Sequence, residues 1–168
     1  KPPTVGHLEV VKRALDENPE MDKMIVLVGS GERDSITQEE SIAIWRIYKK
    51  YLPSKVEIQP SPEGKPPIGA IYAYGKDNPD KTIYWFLGAR EGNEDDSQDV
   101  IKRTKSLNTG KYPNIEVKQI ATGGTVSGTK TRKALLNRDK ETFVQALPDI
   151  PEIDQIWDML SDTMGINE

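Results

Sequence analysis

Four short strand-like runs, separated by stretches of helical periodicity, constrain this chain more than any other feature. Residues 24–28 (Met24, Ile25, Val26, Leu27, Val28) form a continuous apolar run stopped by Gly29, the pattern of a strand buried on both faces. A weaker run at 55–59 carries Val56 and Ile58. A third at 82–87 carries Ile83, Tyr84, Trp85 and Phe86 and ends at Gly88, and a fourth at 115–120 places Ile115, Val117 and Ile120 among charges. Ahead of the first run, Leu8, Val11 and Leu15 recur at helical spacing until Asn18-Pro19 ends the segment. Thr37 with Glu40 three residues on reads as a capping box, followed by Ile44, Ile47, Tyr48 and Tyr51 on one helix face that Pro53 terminates. Residues 60–67 read as a proline-rich loop, 68–74 as a short helix, 92–96 as an acidic loop and 97–107 as a polar helix. Helical turns are expected again around Ala134 and Leu135, and around Phe143, Val144 and Leu147 before Pro148.

Strands alternating with crossovers of this length imply an α/β fold, a mostly parallel sheet covered by helices on both faces. Ligands of such sheets bind at the carboxyl ends of the strands, beside the N-termini of the following helices. Three places qualify: the segment before Leu8, Gly88-Ala89-Arg90, and residues 123–132.

Composition narrows the function classes. A chain of 168 residues suits one domain, 1–168, and with 35% hydrophobic residues and 13 glycines it has the makings of a core. No apolar run approaches the roughly 18–20 residues of a membrane span, so no membrane partner is expected. With no cysteine and one histidine, the chain has no disulfide, no thiolate nucleophile, no Cys-based zinc site and no multi-histidine metal centre. The cytoplasm is the expected compartment. Residues 148–168 hold six acidic side chains and no base, which leaves the rest with 23 basic against 21 acidic residues. A mildly basic body suits an anionic small molecule better than a nucleic acid. Ile150, Ile153, Trp157, Leu160 and Met164 fall on one stripe, giving an acidic amphipathic helix over 149–165 that packs on the body. Trp45, Trp85 and Trp157 sit on apolar stripes and read as core.

Three glycine-bearing strings compete as chemistry. Gly29-Ser30-Gly31-Glu32-Arg33-Asp34 begins like a dinucleotide fingerprint, but Asp34 stands at the third glycine position and the next helix starts only at Thr37, so a turn is the better reading. Residues 123–131 superficially follow a nucleotide-triphosphatase phosphate loop, yet Thr129 between Gly128 and Lys130 breaks the spacing. As an anion site at a helix N-terminus the same segment is sound, because free N–H groups and the positive dipole end face the ligand. The third string, Pro2-Pro3-Thr4-Val5-Gly6-His7, leads into the first helix; its glycine permits close approach and its histidine supplies a donor.

Thr-x-Gly-His opening the first helix, joined to Ser-Gly-Thr-x-x-Arg opening a late one, resembles the nucleotidylyltransferase superfamily. That group holds cytidylyltransferases and the nicotinamide-mononucleotide and pantetheine-phosphate adenylyltransferases, and the Pro-Pro-Thr lead-in looks most like its small, phage-type members. The resemblance implies a Rossmann-like parallel sheet (adenine nucleotide alpha hydrolase-like). It also implies an activity: transfer of AMP or CMP from a nucleoside triphosphate to a small phosphate-bearing acceptor, with release of pyrophosphate. By the same resemblance His7 and Arg132 are the catalytic pair, His7 meeting the α-phosphate. Thr4 contacts triphosphate oxygens, and Gly6 leaves room for the nucleotide. Ser127, Thr129 and Arg132 hold the β- and γ-phosphates, with Gly128 and Lys130 in the same nucleotide-binding segment. Gly88 opens the loop that faces ribose and base. Magnesium accompanies the triphosphate, and a homo-oligomer is compatible with the family.

The chain departs from the pattern in two respects. Relatives place a central strand immediately before the Pro-Pro-Thr segment, so the first strand is expected to be missing from this chain, with truncation of the source sequence as the cause. Arg90 stands two residues after Gly88, where relatives carry an acid; it either reaches the ligand or pairs with Glu91 or Glu94. Lys130 and Lys133 are either direct contacts or solvated neighbours of the anion site. ATP and CTP stay equally open. Two rival classes remain: a non-catalytic nucleotide-binding or assembly protein with the same fold, and, more weakly, a hydrolase or kinase.

Overall fold

The computed structural model describes residues 3–30, 36–62, 67–90, 92–107, 112–123 and 128–163. Helices and strands alternate as α1 (Val5–Glu17), β1 (Met24–Val28), α2 (Gln38–Lys49), β2 (Val56–Pro60), α3 (Pro67–Asp77), β3 (Ile83–Arg90), α4 (Glu94–Leu107) and β4 (Ile115–Thr122). Three helices close the chain: α5 (Gly128–Leu136), α6 (Lys140–Gln145) and α7 (Ile153–Thr163). The strands form two parallel pairs. β1 pairs with β2 from Met24 opposite Val56 to Val28 opposite Pro60, and β3 with β4 from Ile83 opposite Ile115 to Arg90 opposite Thr122. Among the described residues no ladder joins β1 to β3. β1 is consequently less enclosed than its apolar run predicts: Met24 and Val28 are buried, but Ile25, Val26 and Leu27 are half-buried.

Helix α1 runs antiparallel to β3 and β4. At its end, Asn18 Oδ1 accepts from Lys118 Nζ at 2.9 Å and Glu20 accepts from the Tyr84 hydroxyl at 3.1 Å. Further back along the helix, Arg13 Nη1 donates to the Ala121 carbonyl at 2.6 Å. Its N-terminus therefore lies toward the carboxyl ends of these strands. One core gathers Leu8, Val11, Ala14 and Leu15 of α1 with Ile44 and Tyr48 of α2, Leu135 of α5, Phe143 of α6, and Ile156 and Leu160 of α7. A second holds Trp85, Leu107 and Ile115 beneath α3 and α4, with Tyr72 edge-on to Trp85 at 6.0 Å and stacked on Tyr112 at 4.4 Å. Trp45 and Trp85 are buried as expected, and Trp157 is half-buried against Phe143 at 5.3 Å.

Several boundaries differ from those read in the sequence. β3 does not stop at Gly88 but continues to Arg90, so Gly88 lies inside a strand rather than opening a loop. The reason is packing: a Cβ there would stand 2.7 Å from Val10 Cγ2, so the missing side chain lets α1 approach β3. α4 begins at Glu94, inside the stretch read as an acidic loop. Glu94, Asp95 and Asp96 suit the positive end of a helix, and Asn93 Oδ1 accepts from the Asp96 N–H at 3.0 Å. α7 starts at Ile153 rather than at 149, and Met164 lies outside the described residues; the helix buries Ile156 and Leu160 and exposes Asp154, Asp158 and Asp162. Among the described residues no helix is long and apolar enough to cross a membrane.

Candidate functional site at the start of the first helix

Thr4 is the N-cap of α1, extended at φ −102° and ψ 173°, and pairs with His7 in a reciprocal cap. The Thr4 backbone N–H donates to His7 Nδ1 at 2.9 Å, and Thr4 Oγ1 lies 3.1 Å from the same nitrogen. Thr4 is only 3% exposed, whereas His7 is exposed. The threonine expected to touch triphosphate oxygens thus turns its hydroxyl to the histidine instead.

Two chain-distant groups seat this helix start, and a third seats α2 beside it. The Tyr48 hydroxyl of α2 donates to the Pro3 carbonyl at 2.7 Å, and burial pushes that phenol well above its ordinary pKa. The Val5 N–H donates to the Ala146 carbonyl, just past α6, at 2.8 Å. Gln38 at the start of α2 donates to the carbonyls of Val28 and Ser61 at 3.0 Å each, fixing α2 at the carboxyl ends of β1 and β2. A cleft of about 250 Å³ results, lined by Pro3 and His7, by Val26 to Gly29 along β1, and by Ser41 and Trp45 of α2. Trp45 and Ser41 were not legible as site residues, because burial of 7% and 6% makes them ordinary members of a helix face that only tertiary packing brings beside His7.

Gly6 has no structural need to be glycine. A Cβ there would meet nothing nearer than Thr4 Oγ1 at 3.6 Å, an ordinary contact. Glycine in a helix costs roughly 0.5–1 kcal/mol relative to alanine, so its presence favours a reserved approach path over packing. Gly6→Ala is expected to raise stability by up to that amount, read as the midpoint of urea titration.

The second motif opens α5 after β4, hence also on the carboxyl side. Ser127 lies outside the described residues; Gly128 is the first residue of the helix. Thr131, Ala134 and Leu135 face the core, Arg132 is half-buried, and Thr129, Lys130 and Lys133 are exposed. Thr129 and Arg132, three apart, share a helix face. Among the described residues, the cleft beside His7 is lined by none of Thr129, Lys130 and Arg132, nor by Gly88 or Arg90. Neither α1 nor α5 carries an acid in its first turn, whereas α2 has Glu39 and Glu40 and α4 has three. The positive ends of α1 and α5 are left without acidic compensation of their own.

Among the described residues Arg90 pairs with Asp96 and not with Glu94; Glu91 lies outside them. Arg90 Nε donates to Asp96 Oδ2 at 2.8 Å, its Nη2 to Oδ1 at 3.2 Å, and its backbone N–H to Oδ2 at 2.9 Å. The Asp96 carboxylate raises the guanidinium pKa further and ties the end of β3 to the first turn of α4. Arg90 therefore has a structural assignment. Among the described residues no group of three histidine or acidic side chains converges. No protein-family model matches the chain, and no curated protein sequence matches it.

Proposed function

We propose that this chain is a nucleotidyltransferase that moves AMP or CMP from a nucleoside triphosphate to a small phosphate-bearing acceptor, releasing pyrophosphate. The observation that carries this reading is the histidine at the start of α1: Nδ1 is tied back to Thr4 while the exposed ring lines a cleft at the carboxyl end of β1. Gly6, which the packing does not require, and two helix starts without acids support the same reading. In it, the two parallel pairs are halves of one Rossmann-like sheet, ordered β2-β1-slot-β3-β4, with a further parallel strand belonging in the slot.

Nucleotidyl transfer needs no protein nucleophile; it needs in-line positioning and positive charge where negative charge accumulates. His7 donates from Nε2 to an α-phosphoryl oxygen as the centre becomes five-coordinate. Thr129 and Arg132 hold the departing pyrophosphate, the guanidinium serving as a permanently charged fork, with Ser127, Gly128 and Lys130 in the same anion-binding segment. Magnesium would come with the triphosphate as part of the substrate and would supply positive charge to its oxygens. The experiment is pyrophosphate release measured with each of four nucleoside triphosphates, magnesium and a panel of phosphorylated acceptors. Acceptor-dependent pyrophosphate supports transfer; nucleotide binding without it leaves a binding protein, and inorganic phosphate or nucleoside diphosphate as product indicates a hydrolase or kinase.

A further inference from the structure

Among the described residues two helices, α1 and α2, open on a reciprocal threonine cap of the same spacing, and they differ in the second residue. At α2, Thr37 is followed three residues later by Glu40, whose Oε1 accepts from the Thr37 N–H at 3.0 Å. At α1, Thr4 is followed by His7, whose Nδ1 accepts from the Thr4 N–H at 2.9 Å. Glu or Gln is the usual residue for this task, and either would satisfy the Thr4 amide. Imidazole in place of carboxylate keeps the acceptor but changes the atom on the far side. A carboxylate presents a second anionic oxygen, whereas a neutral ring that accepts at one nitrogen carries its proton on the other.

We propose that Thr4 is a positioning residue that holds His7 as the Nε2-protonated tautomer, the form that presents a donor to a phosphoryl oxygen. An amide N–H can only donate, so the 2.9 Å contact requires a lone pair at Nδ1. The Thr4 hydroxyl, 3.1 Å from the same nitrogen, adds a second group on that edge of the ring. Thr4 is almost fully buried and its neighbour Pro3 is anchored by the Tyr48 hydroxyl, so the donors are held in place and shielded from water. The tautomer assignment stands on geometry alone; its effect on turnover rests on the nucleotidyl-transfer reading.

Because His7 is the single histidine, one imidazole pair of nitrogen resonances reports the tautomer without assignment ambiguity. In the nucleotide-free, isotopically labelled chain, a proton on Nε2 and scalar coupling between Nδ1 and the Thr4 amide are expected. A proton on Nδ1, or two tautomers exchanging as in free histidine, overturns the proposal. Thr4→Val should weaken the coupling and lower pyrophosphate release about 10- to 100-fold, with the KM for triphosphate unchanged. Thr4→Ser should restore both. Thr4→Val with coupling and turnover intact also overturns it. If the tautomer is as assigned but no triphosphate yields pyrophosphate, the transfer reading falls and the tautomer assignment stands.

Discussion

His7→Ala is expected to lower pyrophosphate release roughly 100- to 1,000-fold, the usual effect of deleting one donor aimed at developing negative charge. The same change leaves the buried Thr4 amide without its imidazole partner and should cost about 1 kcal/mol of stability. The two effects separate with His7→Glu. Glutamate at this position restores the reciprocal cap, so the denaturation midpoint should return to that of the parent. Its carboxylate faces the incoming phosphate with the wrong sign, so turnover should stay at or below that of the alanine variant. Turnover surviving in both variants would remove His7 from the chemistry. Parallel recovery of stability and turnover in His7→Glu would make the residue a cap alone.

The second large effect concerns Phe143, fully buried between α6 and the first core and 5.3 Å from Trp157. Phe143→Ala is expected to cost about 3–5 kcal/mol, the range for emptying a buried aromatic site. Domains of this kind are stable by only about 5–15 kcal/mol, so a large share of the folding free energy goes with it. The check is the urea midpoint, with an unchanged slope showing that the unfolding transition keeps its character. Phe143 lies three residues before Ala146, whose carbonyl holds the Val5 N–H. Triphosphate binding should therefore weaken in this variant even under conditions where it is fully folded.

Much of the architecture was legible because local signals and packing agree. The 24–28 apolar run and the Thr37/Glu40 cap mark β1 and the start of α2, and Ile153, Trp157 and Leu160 mark α7; α2 itself ends at Lys49, before Pro53, and leaves Tyr51 exposed in the following turn. The misread places are those where a residue's ordinary local meaning yields to a distant neighbour. Gly88 looked like a strand terminator, but its role is to admit Val10 from α1. Acidic residues 94–96 looked like loop and instead open a helix. Arg90 was open between a ligand and a neighbouring acid, and the carboxylate that binds it, on three bonds, belongs to Asp96, six residues on. At the site itself the Thr-x-Gly-His string was visible, but the cleft was not. Its far wall comes from Trp45 and Ser41, about forty positions along the chain, and no periodicity tells a wall from a core.

The bond between the Val5 N–H and the Ala146 carbonyl spans 141 positions of sequence. The beginning of α1 therefore waits for a segment synthesised 141 positions later before it can be seated on that side. Contacts of such long reach are slow to form, since chain entropy must be lost before the bond offsets it. A nascent or clipped chain ending before α6 would carry every letter of the Thr-x-Gly-His string and still leave its helix start unanchored on that side. Seating of the α1 start thus follows the arrival of α6.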